Sequence, residues 1–129
     1  MRRALLDTSF VIALGRGEDM PLEDSPDEAA ISAVTLCGLH HGVLVATDRQ
    51  RPGRLATLLF AERHFAALPV DAEVAPHYGR LLAATRRRRG RKLATADALI
   101  AATAAAHRLP LITRDHDFAD IDGLDVVIV

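Results

Sequence analysis

Four aspartates, Asp7, Asp97, Asp115 and Asp117, are the residues of this chain best placed by order to work together. Asp7 directly follows the short apolar run 4–6, Asp115 stands two residues beyond the apolar run 110–113, and Asp97 lies in the first turn of an alanine-rich stretch. If both runs are strands of an open parallel sheet, Asp7 and Asp115 fall at their carboxyl ends, where such sheets build their sites. Several carboxylates on one apolar rim repel one another unless a cation neutralises them. Magnesium and manganese are hard ions that take oxygen ligands of this kind, and a pair of them can activate water and stabilise both oxygens of an in-line displacement at phosphorus. The spacing thus points to metal-dependent phosphodiester chemistry. Taken singly, each acid has a local role open to it: Asp7 as a helix cap or Asx-turn, Asp97 as a partner of its own helix dipole, Asp115 and Asp117 as turn residues.

The elements that must position these acids read as an alternation. A strand over 3–6 feeds a helix at 10–14 that Gly15 and Gly17 stop, and an acidic, proline-containing loop over 18–28 leads to a short apolar segment around Ile31. A helix over 33–43 places Leu36, Leu39 and Val43 on one face, with Gly38 in its middle turn at a cost of about 1 kcal/mol relative to alanine. A polar connection over 47–54 precedes a helix from Leu55, and the run 67–70 reads as a strand. A helical pattern over 71–89 ends in arginines. The segment 95–107 is the clearest helix, capped by Thr95, and so poor in charge that it must be buried; strands at 110–113 and 125–129 finish the chain. Strands alternating with helices predict an α/β fold, a mainly parallel sheet with helices on both faces.

With 129 residues, half of them apolar, and no linker-like stretch, the chain is expected to form a single domain over 1–129. No apolar run approaches the roughly 20 residues of a membrane span, and Asp7 interrupts the only leader-like start, which predicts a soluble cytoplasmic protein without a membrane partner. Cys37 is the single cysteine, so no internal disulfide forms, and on an apolar face it reads as a packing residue. The net charge of −1 conceals a segregated surface, with Arg86, Arg87, Arg88, Arg89, Arg91 and Lys92 in one run and acids clustered at 18–28 and 115–125. That basic run stands just before the Asp97 helix and is a candidate RNA-binding element, or else a solvated loop.

The segments 5–14 (LLDTSFVIAL), 31–43 (ISAVTLCGLHHGV) and 94–118 (ATADALIAATAAAHRLPLITRDHDF), with the closing 123–129 (GLDVVIV), together resemble a PIN-domain ribonuclease, in particular the VapC-type toxin of bacterial toxin–antitoxin pairs. The likeness runs over essentially the whole chain. It implies a three-layer α/β/α fold, magnesium- or manganese-dependent cleavage of RNA such as a transfer RNA or a ribosomal RNA loop, a homodimer, and a cognate antitoxin. Its acids match Asp7, Asp97 and Asp115, with Asp117 as a further member, and its supporting hydroxyls fall at Thr8, Ser9 and Thr113. The principal departure is Gly38, which stands where the family carries a glutamate, the second acid of the metal site. Losing that ligand implies an impaired or inactive nuclease. Glu62 on the next helix is a substitute to be weighed, whereas His40 and His41 read as surface or packing residues. A catalytically dead protein that binds RNA or sequesters an antitoxin is the alternative from another class; a receiver-like phosphorylation domain lacks its central phosphoacceptor aspartate and late lysine.

Overall fold

The computed structural model describes residues 2–21, 23, 25–90 and 93–129, with the side chain of Arg89 also left out. The strands are β1 (Arg3–Leu6), β2 (Glu28–Ser32), β3 (Ala66–Leu68), β4 (Leu111–Thr113) and β5 (Val126–Ile128). The helices are α1 (Thr8–Gly15), α2 (Ala33–Leu44), α3 (Arg51–His64), α4 (Ala75–Arg89) and α5 (Thr95–Ala106), with a single 3-10 turn at His116–Phe118. The strands form one sheet in the order β3-β2-β1-β4-β5, and every pairing is parallel. The chain winds outward from β1 to β3 and returns to place β4 on the other side of β1. The order reverses there, between two strands whose carboxyl ends carry Asp7 and Thr113.

Alternation along the buried strands divides the core into two layers. Ala4, Leu6, Ile31 and Ile112 face Phe10 and Val11 of α1, Leu39 of α2, and Leu58 and Ala61 of α3. Leu5, Ala30 and Leu111 face the other way, onto Leu81 of α4 and Ala98, Ala101 and Ala102 of α5, with Phe118 completing that side. The result is the expected three-layer α/β/α arrangement. The low charge of α5 has the anticipated cause, since Ala98, Ile100, Ala101, Ala102, Thr103 and Ala104 are all buried.

Several boundaries differ from those read in the sequence, each for a local reason. Helix α1 starts at Thr8 because the Asp7 carbonyl accepts from the Phe10 and Val11 amides, so the polar turn is already helical. Helix α3 begins at Arg51, inside the supposed connection, with Pro52 in the first turn where its missing N–H costs nothing. Strand β3 stops at Leu68, before Pro69. Thr95 does not cap α5; the Ala94 carbonyl receives the Ala98 amide and Thr95 is already helical. Ser32 caps α2, accepting from the Val34 amide at 3.2 Å. Gly90 ends α4 at φ 70, the left-handed conformation that closes a helix. Cys37 is exposed and is no packing residue, because the buried stripe of α2 runs through Thr35 and Leu39.

Helices α1 and α3 touch most closely at Gly15. A Cβ there would sit 2.7 Å from Thr57 Oγ1, 2.9 Å from its Cγ2 and 3.1 Å from its Cβ, and Thr57 is buried. Gly15→Ala is therefore expected to destabilise the fold by about 1–2 kcal/mol despite alanine's better helix propensity. The loss should shrink when Thr57→Ala is combined with it, a coupling that a double-mutant cycle of urea unfolding reads directly. Additive effects would mean that the helices do not meet there.

Candidate metal centre

Parallel pairing sets Leu6 beside Ile112, and the Asp7 amide donates to the Ile112 carbonyl at 2.9 Å, so the residues after both strands emerge side by side. Asp7 occupies the cap position of α1, yet its carboxylate makes no capping bond. Instead Oδ2 accepts from Ser9 Oγ at 2.7 Å and from Thr113 Oγ1 at 2.8 Å, and the side chain is almost wholly buried, 3% exposed. The local cap role weighed for Asp7 is thus not the one its side chain adopts. Its other oxygen, Oδ1, takes no hydrogen bond among the described residues.

The hydroxyls continue as a network. Thr113 Oγ1 accepts from the Asp115 amide at 2.9 Å, and Ser9 Oγ accepts from the Arg114 amide at 3.3 Å, which pins the turn after β4 against the start of α1. The Arg114 guanidinium points aside and pairs with Glu18. Asp115 does take the local role, its Oδ1 accepting from the Asp117 amide at 2.9 Å as the cap of the 3-10 turn, which leaves Oδ2 for other partners. Thr8 turns the opposite way, its Oγ1 2.9 Å from that of Thr35 on α2. Thr35 is fully buried, and only its place one turn before Gly38 could have flagged it in the sequence.

Asp97 joins the group from α5. Burial, then the negative charges of Asp7, Asp115 and Asp117, push its carboxyl up from the ordinary 3.8 to about 6. This direction is opposite to what the N-terminal dipole of α5 would impose, so burial and repulsion outweigh it. The four acids that the sequence singled out thus share one electrostatic site. Among the described residues, however, no three acid, histidine or cysteine side chains form a ready-made metal cage. Gly38 is exposed on α2, and a Cβ built there meets nothing within 4 Å, so a side chain at this position has room. Glu62 does not substitute; its Oε2 lies 3.7 Å from His40 Nε2 on the exposed α2–α3 surface. His41 is exposed in the last turn of α2.

The basic run is only partly a free surface. Arg88 donates to the Asp120 carbonyl at 3.1 Å and to Asp122 Oδ1 at 2.7 Å, strapping α4 to the loop before β5. Arg86 and Arg87 are exposed, whereas Arg91, Lys92 and the side chain of Arg89 lie outside the described residues.

The raised Asp97 carboxyl has a measurable consequence for the metal-free chain. A carboxyl held above its unfolded value contributes stability that is complete below about 3.8 and is lost as pH rises through about 6. Asp97→Asn removes that loss. Because the group is partly solvated, the gain near pH 7 is expected to be only about 1 kcal/mol, or ~3–5 °C in Tm, vanishing toward pH 4. Thermal unfolding of both chains in chelator across this range checks it, and a pH-independent difference would contradict the repulsion.

Comparison with known proteins bears on the family and the fold. The PIN domain family matches residues 4–124. Ribonuclease VapC5 of Mycobacterium tuberculosis (strain ATCC 25618 / H37Rv) is 42% identical over 123 residues, covering 92% of this chain and 87% of that protein. Ribonuclease VapC4 of the same strain is 34% identical over 130 residues, covering 100% of this chain and 98% of that protein. Among solved structures, the crystal structure of VapBC-5, a member of the VapBC family of toxin-antitoxin systems from Mycobacterium tuberculosis, matches with a TM-score of 0.85 and 37% identity over 100% of both chains.

Proposed function

This chain belongs to the PIN-domain family, and within it to the VapC ribonucleases of toxin–antitoxin systems; from that premise we propose that it is a divalent-metal endoribonuclease scaffold whose second acidic position is vacant. The observation that carries the reading is the gathering of Asp7, Asp115 and Asp117 around the partly buried Asp97 at the rim where the strand order reverses. All are hard oxygen donors, the set that suits magnesium or manganese. Asp7, Asp97 and Asp115 would hold the ion, with Asp117 beside them. When bound, it supplies charge neutralisation at the phosphate and lowers the pKa of water.

The chain's own residues do the positioning. Ser9 and Thr113 hold one oxygen of Asp7 and leave the other without a hydrogen bond among the described residues, while the Asp117 amide fixes one oxygen of Asp115. On the α2 side nothing answers them, since Gly38 has no side chain. This gap favours a second reading alongside the first: the chain as it stands binds RNA or an antitoxin and cuts slowly or not at all. The cleavable RNA is proposed to be structured, a transfer RNA or ribosomal RNA loop, because one tyrosine and four phenylalanines make a poor stacking platform for a long single strand. A protein antitoxin, a homodimeric state and a cytoplasmic setting complete the proposal; among the described residues no helix is long and apolar enough to cross a membrane.

The test is cleavage of total RNA by the chain as it stands and by Gly38→Glu, with manganese or magnesium and with chelator, mapping the cut ends. A defined, chelator-sensitive set of ends from the glutamate form supports the nuclease. No cuts from either form overturn it in favour of the binding module.

A further inference from the structure

A cleft of about 770 Å³ runs between α1, α2 and α3, and its lining includes Thr8, the chain neighbour of Asp7, and Gly38, the altered acidic position. Its walls carry Arg16, Arg49 and Arg54 but no acidic side chain. Gly38 and Gly42, one helical turn apart on α2, face Gly53 on α3, so the cleft exists because side chains are missing from both walls. Elsewhere Arg3 pairs with Glu28, Arg51 with Asp48, Arg88 with Asp122 and Arg114 with Glu18, whereas Arg2, Arg63, Arg86, Arg87 and Arg108 have no acidic partner among the described residues; what sets the cleft apart is three arginines in one concave wall without an acid. The guanidinium groups of Arg16 and Arg49 have no hydrogen-bond or ion-pair partner among the described residues, and that of Arg54 donates only to the Gly42 carbonyl, at 2.8 Å.

We infer that this cleft is a phosphate-binding track that holds the RNA strand beside the acid rim, with Arg16 and Arg49 as its cationic contacts and Arg54 fixed between them and α2. The inference rests on the nuclease reading and locates its substrate. Planar guanidinium forks match phosphate oxygens, and an uncompensated positive wall draws a polyanion toward a site whose own carboxylates would repel it. Within the basic run near α4, Arg88 is already engaged by Asp122.

Binding in chelator separates the track from cleavage. The probe is a fluorescein-labelled single-stranded RNA of about 12 nucleotides, titrated with the whole chain from about 50 to 200 mM potassium chloride. Arg16→Gln/Arg49→Gln removes two charges that hold nothing in the fold; it is expected to weaken binding at least about tenfold and to flatten the salt slope by about 1.4. Arg3→Gln/Arg108→Gln removes the same charge at the opposite edge of the sheet, where β1 begins and α5 has ended, and is expected to change neither. Equal losses from both pairs, or unchanged binding in the cleft pair, overturn the inference. If the cleft pair binds RNA normally but loses a glutamate-rich peptide, the cleft takes an acidic protein segment instead, which also overturns it. The nuclease reading is judged apart, by whether Gly38→Glu cuts RNA with the cleft pair present or absent.

Discussion

Gly38→Glu is expected to raise metal-dependent RNA cleavage at least about 100-fold over the chain carrying glycine, the size of effect that one preorganised electrostatic group exerts in an active site. The substitution is sterically free, because nothing lies within 4 Å of a Cβ at Gly38 and the residue is exposed at the mouth of the α1–α2–α3 cleft. Thr35, one turn earlier on α2, already ties that helix to Thr8 of α1, so the new side chain would stand on an anchored support. Glutamate also gains about 0.5 kcal/mol of helix propensity over glycine. Its negative charge beside the four aspartates opposes that gain without metal, so the Tm of Gly38→Glu should respond more to manganese than that of the parent chain. Initial rates on one mapped RNA, with both proteins at equal metal concentration, check the expectation. Equal rates would place the defect elsewhere.

The second large effect is expected at Asp7. In the Gly38→Glu background, Asp7→Asn should lower cleavage by roughly 10³-fold while leaving the fold intact. The hydroxyls of Ser9 and Thr113 both donate to one oxygen of Asp7, and the carbonyl oxygen of asparagine can accept both bonds. The buried network would survive. What is lost is Oδ1, the oxygen without a hydrogen bond among the described residues, replaced by an amide nitrogen that neither carries charge nor ligates a cation. Matching circular dichroism and Tm alongside the rate loss would separate this electrostatic role from a structural one. Retained cleavage would remove Asp7 from the site.

Much of this arrangement is legible in the order of residues, because the site sits where local signals end. The runs 4–6 and 110–113 are buried strands whose next polar residues must emerge at one edge, and so Asp7 and Asp115 could be placed together without coordinates. Asp97 follows from the burial of α5, whose first turn is the only place for its acid. The hydroxyl network was harder: the likeness to PIN-domain ribonucleases suggests Thr8, Ser9 and Thr113 as supports, but not that Ser9 and Thr113 share one carboxylate oxygen while Thr8 turns to Thr35. Cys37 shows why an apolar neighbourhood misleads, since it lies two positions from both Thr35 and Leu39, about 200° of helical rotation, and so falls on the face opposite the buried stripe. The cleft arginines were invisible for another reason. Arg16, Arg49 and Arg54 belong to the end of α1, the α2–α3 turn and the start of α3, and no periodicity within one element reveals that these three places meet. The run at 86–92 stands out in the sequence by its density of charge and its place before the Asp97 helix, although Arg88 is structural.

That one divalent ion settles among Asp7, Asp97 and Asp115 is tested most directly by titrating manganese into the isotopically labelled chain and following which amide signals its unpaired electrons broaden. Signals of residues 7–9, 97 and 113–117 should fade first, at lower manganese concentration in Gly38→Glu, and Asp7→Asn should restore them. Broadening centred on the acidic loop at 18–28 or spread evenly over the surface would contradict a metal site at this rim.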